Sequence, residues 1–90
     1  MFGSREHAQQ LLRYFARMHA EHGHQEFADG AECAREWTAL IDAEPSPSRD
    51  RVTALLARVA SRRDVGSGWI DLQLGVNSWA RRIGYKSVER

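Results

Sequence analysis

Apolar residues recur at three- and four-residue steps near the start of the chain, which is the pattern of one face of an α-helix. This face is formed by Ala8, Leu11, Leu12, Phe15, Met18 and His22. Ser4 is a suitable N-cap, because its hydroxyl can accept a hydrogen bond from a backbone N–H of the first turn. Gly23 can adopt the left-handed conformation that ends a helix. The pattern predicts a first helix over residues 4–22.

A second apolar stripe follows. Its members are Ala34, Trp37, Leu40 and Ile41, with Cys33 at the edge. Asp29 precedes Glu32 by three residues, the spacing of a capping box, and Pro45 disfavours helical backbone angles at the residue before it. We therefore predict a second helix over residues 29–43, preceded by a connection whose Phe27 turns into the core.

The short segment EPSPS leads to a third helix, and five residues are too few to separate two domains. Ser46 followed by Pro47 has the pattern of an N-cap with proline at the first helical position. The apolar stripe of this helix comprises Val52, Leu55, Leu56 and Val59. We predict a helix over residues 47–64, because Gly66 and Gly68 follow it and glycine is a poor helix former.

The stretch WIDLQLGVNSWARRIGY, residues 69–85, fits two different periodicities. At 100° per residue, one apolar stripe contains Trp69, Leu72, Val76, Trp79, Ala80 and Ile83. Ile70, Leu74 and Tyr85 then gather on a second side of the same helix. At a period of two, apolar and polar residues alternate from position 70 to 76, which is typical of a strand.

No other segment has a strand pattern, and a strand needs a partner for its backbone hydrogen bonds. We therefore favour a helix over residues 69–84. Gly75 marks a point where this helix can break and restart, with Asn77 as the new cap. The expected fold is all-α: a compact bundle of four short helices that forms a single domain over residues 1–90.

Composition narrows the class of protein. The chain has 90 residues, of which 42% are hydrophobic and 28% charged, a balance typical of folded globular proteins. No apolar run reaches the roughly 18 residues of a membrane span, and the N-terminus lacks a signal-peptide pattern. A single cysteine, Cys33, excludes an intramolecular disulfide and fits a reducing compartment. We expect a cytoplasmic protein that does not contact a membrane.

The net charge of +1 hides an uneven distribution along the chain. Residues 1–45 carry four arginines and eight acidic residues and sum to −4. Residues 46–90 carry eight arginines, Lys86 and four acidic residues and sum to +5. Such halves either pair within the fold or meet a partner of opposite charge, and we favour the first alternative.

Candidate catalytic and metal-binding residues are few. His19, His22 and His24 lie near the end of the first predicted helix, where the helix dipole favours them, and no distant His–Cys pair completes a familiar zinc site. Cys33 lies beside core positions and fits a small buried side chain better than a nucleophile. The common catalytic and nucleotide-binding motifs are absent from the sequence. We expect no enzyme activity, no metal and no cofactor.

Nucleic-acid binding is the alternative function. Its candidate residues are Arg58, Arg62, Arg63, Arg81, Arg82 and Lys86, which would hold phosphates without reading base sequence if they shared one side. The segment SWARRIGYKS resembles the first helix and turn of a helix-turn-helix, with Ala80 and Gly84 at the spacing that permits close helix packing. Three residues follow this segment, too few for a recognition helix.

The favoured function is a small non-catalytic protein-interaction module: an adaptor, an inhibitor or a regulator. Phages and plasmids often encode small proteins that act on protein complexes of the host. This comparison concerns the general class of protein and rests on no sequence motif. The expected partner is another protein or a second copy of the chain. The candidate contact residues are apolar residues of the last predicted helix and its end: Trp69, Ile70, Leu74, Trp79 and Tyr85.

Overall fold

Four α-helices follow one another in the computed structural model, which describes residues 2–62 and 66–85. They are α1 (Arg5–His22), α2 (Gln25–Asp42), α3 (Arg49–Ala60) and α4 (Ser67–Arg82). The described residues contain no strand, so the predicted all-α bundle is confirmed. The ambiguous stretch from residue 69 onwards is therefore helical in its larger part.

Both predicted ends of α1 are confirmed. The hydroxyl of Ser4 accepts a hydrogen bond of 3.2 Å from the backbone N–H of His7. Gly23 has a φ of 71°, and its N–H donates to the carbonyl oxygen of His19 at 2.7 Å. A single glycine thus ends α1 and turns the chain.

The predicted start of α2 is wrong by four residues. Because Gly23 turns the chain at once, His24 is already the N-cap, and Phe27 lies in the first turn of the helix. Asp29 does not cap α2; its carboxylate accepts hydrogen bonds from the Gln25 side chain and from the Arg62 guanidinium. An acidic residue at a capping spacing has here been used as an ion-pair partner.

The N-cap of α2 offers a stabilising substitution. His24 has the extended backbone angles of an N-cap, but its side chain makes no capping hydrogen bond. A His24→Asp variant should accept a hydrogen bond from the first turn, and we expect it to raise the free energy of unfolding by about 0.5–1 kcal/mol. Urea denaturation would measure the gain, with His24→Ala as the control that lacks an acceptor. An equal gain in both variants would contradict the capping explanation.

The predicted bounds of α3 are also wrong. Ser48, not Ser46, is its N-cap, and the Ser48 hydroxyl accepts a hydrogen bond of 3.3 Å from the Arg51 N–H. Ser46 belongs instead to the turn that follows α2, where its N–H donates to the carbonyl oxygen of Ala43. The helix ends at Ala60, before the predicted end at residue 64, which lies outside the described residues.

No break occurs in α4 at Gly75, contrary to the alternative that we considered. A methyl group added at Gly75 would lie 2.7 Å from Cη2 of Trp37 and 2.8 Å from Cε1 of His7. The glycine therefore lets α4 approach side chains of α1 and α2 closely. It is a packing residue within a continuous helix.

Arginine–carboxylate pairs join the acidic and basic halves of the chain. The guanidinium of Arg51 donates to both carboxylate oxygens of Glu36, at 2.7 and 2.8 Å. Arg58 pairs with Glu32 and Arg62 with Asp29, so these three arginines lie in the basic half and their carboxylates lie in α2. A further pair, Arg5 with Asp42, lies within the acidic half. The opposite charges of the two halves therefore pair within the fold, as the favoured alternative predicts.

Candidate functional site

The five predicted contact residues divide between the core and the surface. Trp69 and Trp79 are buried, with 3% and 2% of their surface exposed. Ile70 and Leu74 are 54% and 45% exposed, whereas Tyr85 is half-buried. Only the second apolar side of the helix therefore supplies a contact surface, and the tryptophans stabilise the bundle instead.

Hydrogen bonds fix both of these tryptophans in the core. The indole N–H of Trp79 donates to a Glu44 carboxylate oxygen at 2.7 Å, and that of Trp69 donates to the carbonyl oxygen of Glu26 at 3.2 Å. Each bond joins α4 to one end of α2 or the turn beyond it. A partner could reach these rings only if the bundle opened.

Ile70 and Leu74 lie one turn apart on the outer side of α4, and we call this pair the α4 stripe. Asp71 is exposed beside it, and Arg81 is exposed near the C-terminal end of the same helix. The other apolar residues of α4 are buried. The stripe is thus a small apolar surface with an acidic group near one end and a basic group near the other.

Phe2 is a third exposed apolar residue, and the sequence pattern did not identify it. The residue is 48% exposed, and its ring lies 4.7 Å from the His7 ring, measured between centroids. The Arg82 guanidinium donates to the carbonyl oxygens of Phe2 and Gly3, at 3.3 and 2.8 Å. A methyl group added at Gly3 would lie 3.1 Å from the carbonyl oxygen of Gly75. The N-terminal segment is therefore attached to α4, next to the turn that carries Leu74.

His7 holds this segment from the other side. Its Nδ1 accepts a hydrogen bond of 3.0 Å from the Gly3 N–H, so the neutral imidazole carries its proton on Nε2. The ring also meets Trp37 edge-on, with 5.7 Å between centroids. Burial lowers the pKa of His7 below its ordinary value of 6.5, against an opposing effect of Asp71. The neutral form is the one that fits this site.

Acidification should therefore destabilise the protein through His7. Because the pKa of the folded state is lowered, the unfolded chain takes up the proton first as pH falls below 6.5. The stability that neutral His7 contributes is fully present above pH 6.5. It is lost as the pH falls through the pKa of His7 in the folded protein. We expect the wild-type free energy of unfolding to decrease between pH 7 and pH 5, and the decrease to be smaller in His7→Gln. Equal pH dependence in the two proteins would contradict this assignment.

The candidate phosphate-binding arginines are distributed between different contacts. Arg58 and Arg62 pair with acids of α2, and the Arg62 guanidinium also lies 5.0 Å from the centroid of the Trp69 ring. Arg82 binds the N-terminal backbone, and Arg81 is exposed at the end of α4. Arg63 and Lys86 lie outside the described residues. Arg58, Arg62 and Arg82 thus make contacts within the fold, and these contacts lie on different elements.

The histidines near the end of α1 and the cysteine of α2 lie in different environments. His19, His22 and His24 are exposed, and the described residues contain no group of three or more His, Cys, Asp or Glu placed to bind a metal ion. Cys33 is fully buried, and burial raises the pKa of its thiol. The thiol is therefore protonated at neutral pH and is out of reach of a substrate.

A groove of about 380 Å³ runs between α2 and α3. The Arg51–Glu36 and Arg58–Glu32 pairs form part of its lining, and Ala39 contributes to its apolar part. Because these ion pairs join α2 to α3 along the groove, a ligand there would compete with contacts that stabilise the fold. The α4 stripe carries no such contacts.

Comparison of this chain with protein-family models, with curated proteins and with solved structures finds no match in any of the three. Among the described helices, none combines the length and the hydropathy that crossing a membrane requires.

Proposed function

We propose that the protein is a small non-catalytic interaction module, which binds a protein partner through the outer side of α4. The observation that carries this proposal is the exposure of Ile70 and Leu74, one turn apart. Each square ångström of apolar surface removed from water contributes about 25 cal/mol. Burying this pair in a complex would therefore favour association.

The surroundings of the α4 stripe also support a protein partner. Protein interfaces commonly have an apolar centre and a polar rim, and here Asp71, Ser78 and Arg81 lie around the apolar pair. Phe2 is a further exposed apolar residue, which lies beside His7 of α1 and whose carbonyl oxygen accepts a hydrogen bond from Arg82 at the end of α4. The single, buried cysteine suits a reducing compartment, and we propose that the interaction takes place in the cytoplasm.

Site-specific photo-crosslinking in the native host tests this function. A photoreactive amino acid at position 74 should give one discrete adduct, which mass spectrometry identifies as a complex with a protein. The matched control is position 57, where Ala57 is exposed on a different helix, α3. No adduct at position 74, or the same adducts at both positions, would reject the proposal.

Leu74→Asp should weaken the association at least about tenfold, which corresponds to 1.4 kcal/mol, because it introduces a charge at the apolar centre. Leu74 is half exposed, so the variant should fold, and circular dichroism would verify this. Salt-sensitive nucleic-acid binding that is lost in Arg81→Glu would instead favour the alternative function.

A further inference from the structure

We propose that the partner bound through α4 presents a basic segment, which lies in a furrow between α1 and the start of α4. The inference rests on the proposed function, because it concerns the same partner and the surface next to the α4 stripe. The furrow consists of two cavities, of about 240 and 180 Å³, and Tyr14 and Gly68 line both of them. We call the two cavities together the α1–α4 furrow.

A close approach of α1 and α4 shapes this furrow. A methyl group added at Gly68 would lie 2.5 Å from Cε2 of Tyr14, so the first turn of α4 can lie against the Tyr14 ring only because position 68 has no side chain. Tyr14 is half-buried and forms the wall that the two cavities share. The cavities are therefore neighbours along one seam of the bundle.

The charged groups that line the furrow are acidic. Asp71 lines the first cavity and Glu26 the second, and no arginine or lysine of the described residues lines either one. Neither carboxylate forms an ion pair with a described residue, whereas four other carboxylates pair with arginines of the chain. His7 also lines the first cavity, and because burial lowers its pKa, the ring is neutral at pH 7. The furrow thus offers two negative charges to a partner.

The positive charge near the furrow is smaller. The N-termini of α2 and α4 lie at the second cavity, and each helix end carries about half a positive charge. Arg62 contacts the Trp69 ring, but its charge is paired with Asp29. At His7, the electrostatic effect of Asp71 exceeds that of the N-terminal amino group. The two carboxylates therefore leave the furrow negative, which favours a cation over an anion.

Aromatic rings make the second cavity suitable for a guanidinium or ammonium group. The rings that line it are those of Tyr14, Phe15, Phe27 and Trp69. Aromatic faces attract cations, and arginine also stacks on them. The Trp69 ring already has the Arg62 guanidinium 5.0 Å from its centroid, so the rings open to a partner are the half-buried Tyr14 and Phe27. The aliphatic part of a basic side chain would cover the apolar lining.

The furrow and the α4 stripe meet on α4, which is why we assign them to one partner. Ile70 of the stripe is 54% exposed, and Asp71, the next residue, lines the furrow. A protein that buries Ile70 therefore brings its neighbouring side chains to Asp71. Basic side chains at that place would pair with the carboxylate, whereas acidic ones would be repelled. The occupant that fits both surfaces is a basic segment of a protein.

Titration with acetyl-hexaarginine amide, followed by NMR of ¹⁵N-labelled protein, tests the furrow without any assumption about the spacing of basic residues. The peptide should shift the signals of the Gly68 amide and the Trp69 indole. The amide of Asp50, an exposed acidic residue of α3, should stay unchanged. Raising NaCl from about 50 to 500 mM should weaken binding at least about fivefold. Similar shifts at all exposed acidic residues, or no shift at about 2 mM peptide, would overturn the proposal.

Neutral variants of the two carboxylates locate the binding. Asp71→Asn combined with Glu26→Gln keeps the shape of both side chains, and we expect the double variant to raise the dissociation constant for the peptide at least about tenfold. The matched control is Asp50→Asn combined with Glu21→Gln, two exposed acidic residues that do not line the furrow. The control changes the net charge equally and should raise the constant less than about twofold. Equal weakening in the two double variants would show that net charge alone attracts the peptide and would overturn the site.

The two proposals can fail separately. If photo-crosslinking at position 74 captures a protein partner equally well in the furrow double variant, the furrow is rejected and the interaction module stands. If position 74 gives no adduct but hexaarginine binds as described, the proposed function is rejected and the furrow stands as a site for a basic segment. Capture that is lost in the furrow double variant and retained in the control supports both proposals. No adduct and no shift would reject both.

Discussion

Replacing Trp37 with alanine is expected to lower the free energy of unfolding by about 3–5 kcal/mol. Trp37 belongs to α2, is fully buried, and contacts His7 of α1, while its ring lies next to Gly75 of α4. The substitution thus removes the side chain at which three helices meet. Because small domains have a total stability of about 5–15 kcal/mol, the variant should be close to unfolding at 37 °C. Urea denaturation followed by fluorescence would measure the loss, with Trp69 and Trp79 as probes.

Trp37→Phe is the control for this prediction. Among the described residues, the Trp37 indole N–H has no hydrogen-bond partner. Replacement by phenylalanine therefore reduces the side-chain volume without removing a hydrogen bond. The phenylalanine variant should therefore retain most of the stability. A loss of less than about 1 kcal/mol in Trp37→Ala would show that the three helices do not depend on this side chain.

The helical faces were predictable because burial alone decides them. Phe15, Trp37, Leu56 and Val76 all lie on apolar stripes of period 3.6, and all are buried in the bundle. The cap of α2 was not predictable in this way. Asp29 has the right spacing for a cap, but α3 and the residues after it bring an arginine to the same carboxylate. A local sequence pattern does not show which residue from a distant part of the chain will pack against it in the fold.

The candidate surface was predictable only in part. Ile70 and Leu74 were identified together with Trp69 and Trp79, because both sides of α4 are apolar and periodicity cannot rank them. The packing of one side of α4 against the other three helices buries the tryptophans and leaves the other side exposed. Phe2 precedes the helical pattern altogether, and its position depends on Arg82, eighty residues away in the chain.

Gly75→Ala tests the other feature that the sequence left open. At an exposed helical site this substitution stabilises by about 1 kcal/mol, since alanine is the better helix former. Here the new methyl group would lie 2.7 Å from Trp37 and 2.8 Å from His7. The Trp37 ring is enclosed in the core, and the imidazole is held by its hydrogen bond to Gly3, so neither can yield freely. We expect the overpacking to exceed the helical gain and the variant to lose about 1–2 kcal/mol of stability.

A double-mutant cycle attributes this loss to its cause. Phenylalanine at position 37 lacks the Cη2 atom that lies closest to the methyl group, so Gly75→Ala should cost less in a Trp37→Phe background. We expect a coupling free energy of about 1 kcal/mol between the two positions, measured by urea denaturation of all four proteins. The His7 ring remains beside the methyl group, so the relief should be incomplete. If Gly75→Ala instead stabilises the wild type, α4 does not approach α2 as closely as described, and the glycine has only its conformational role.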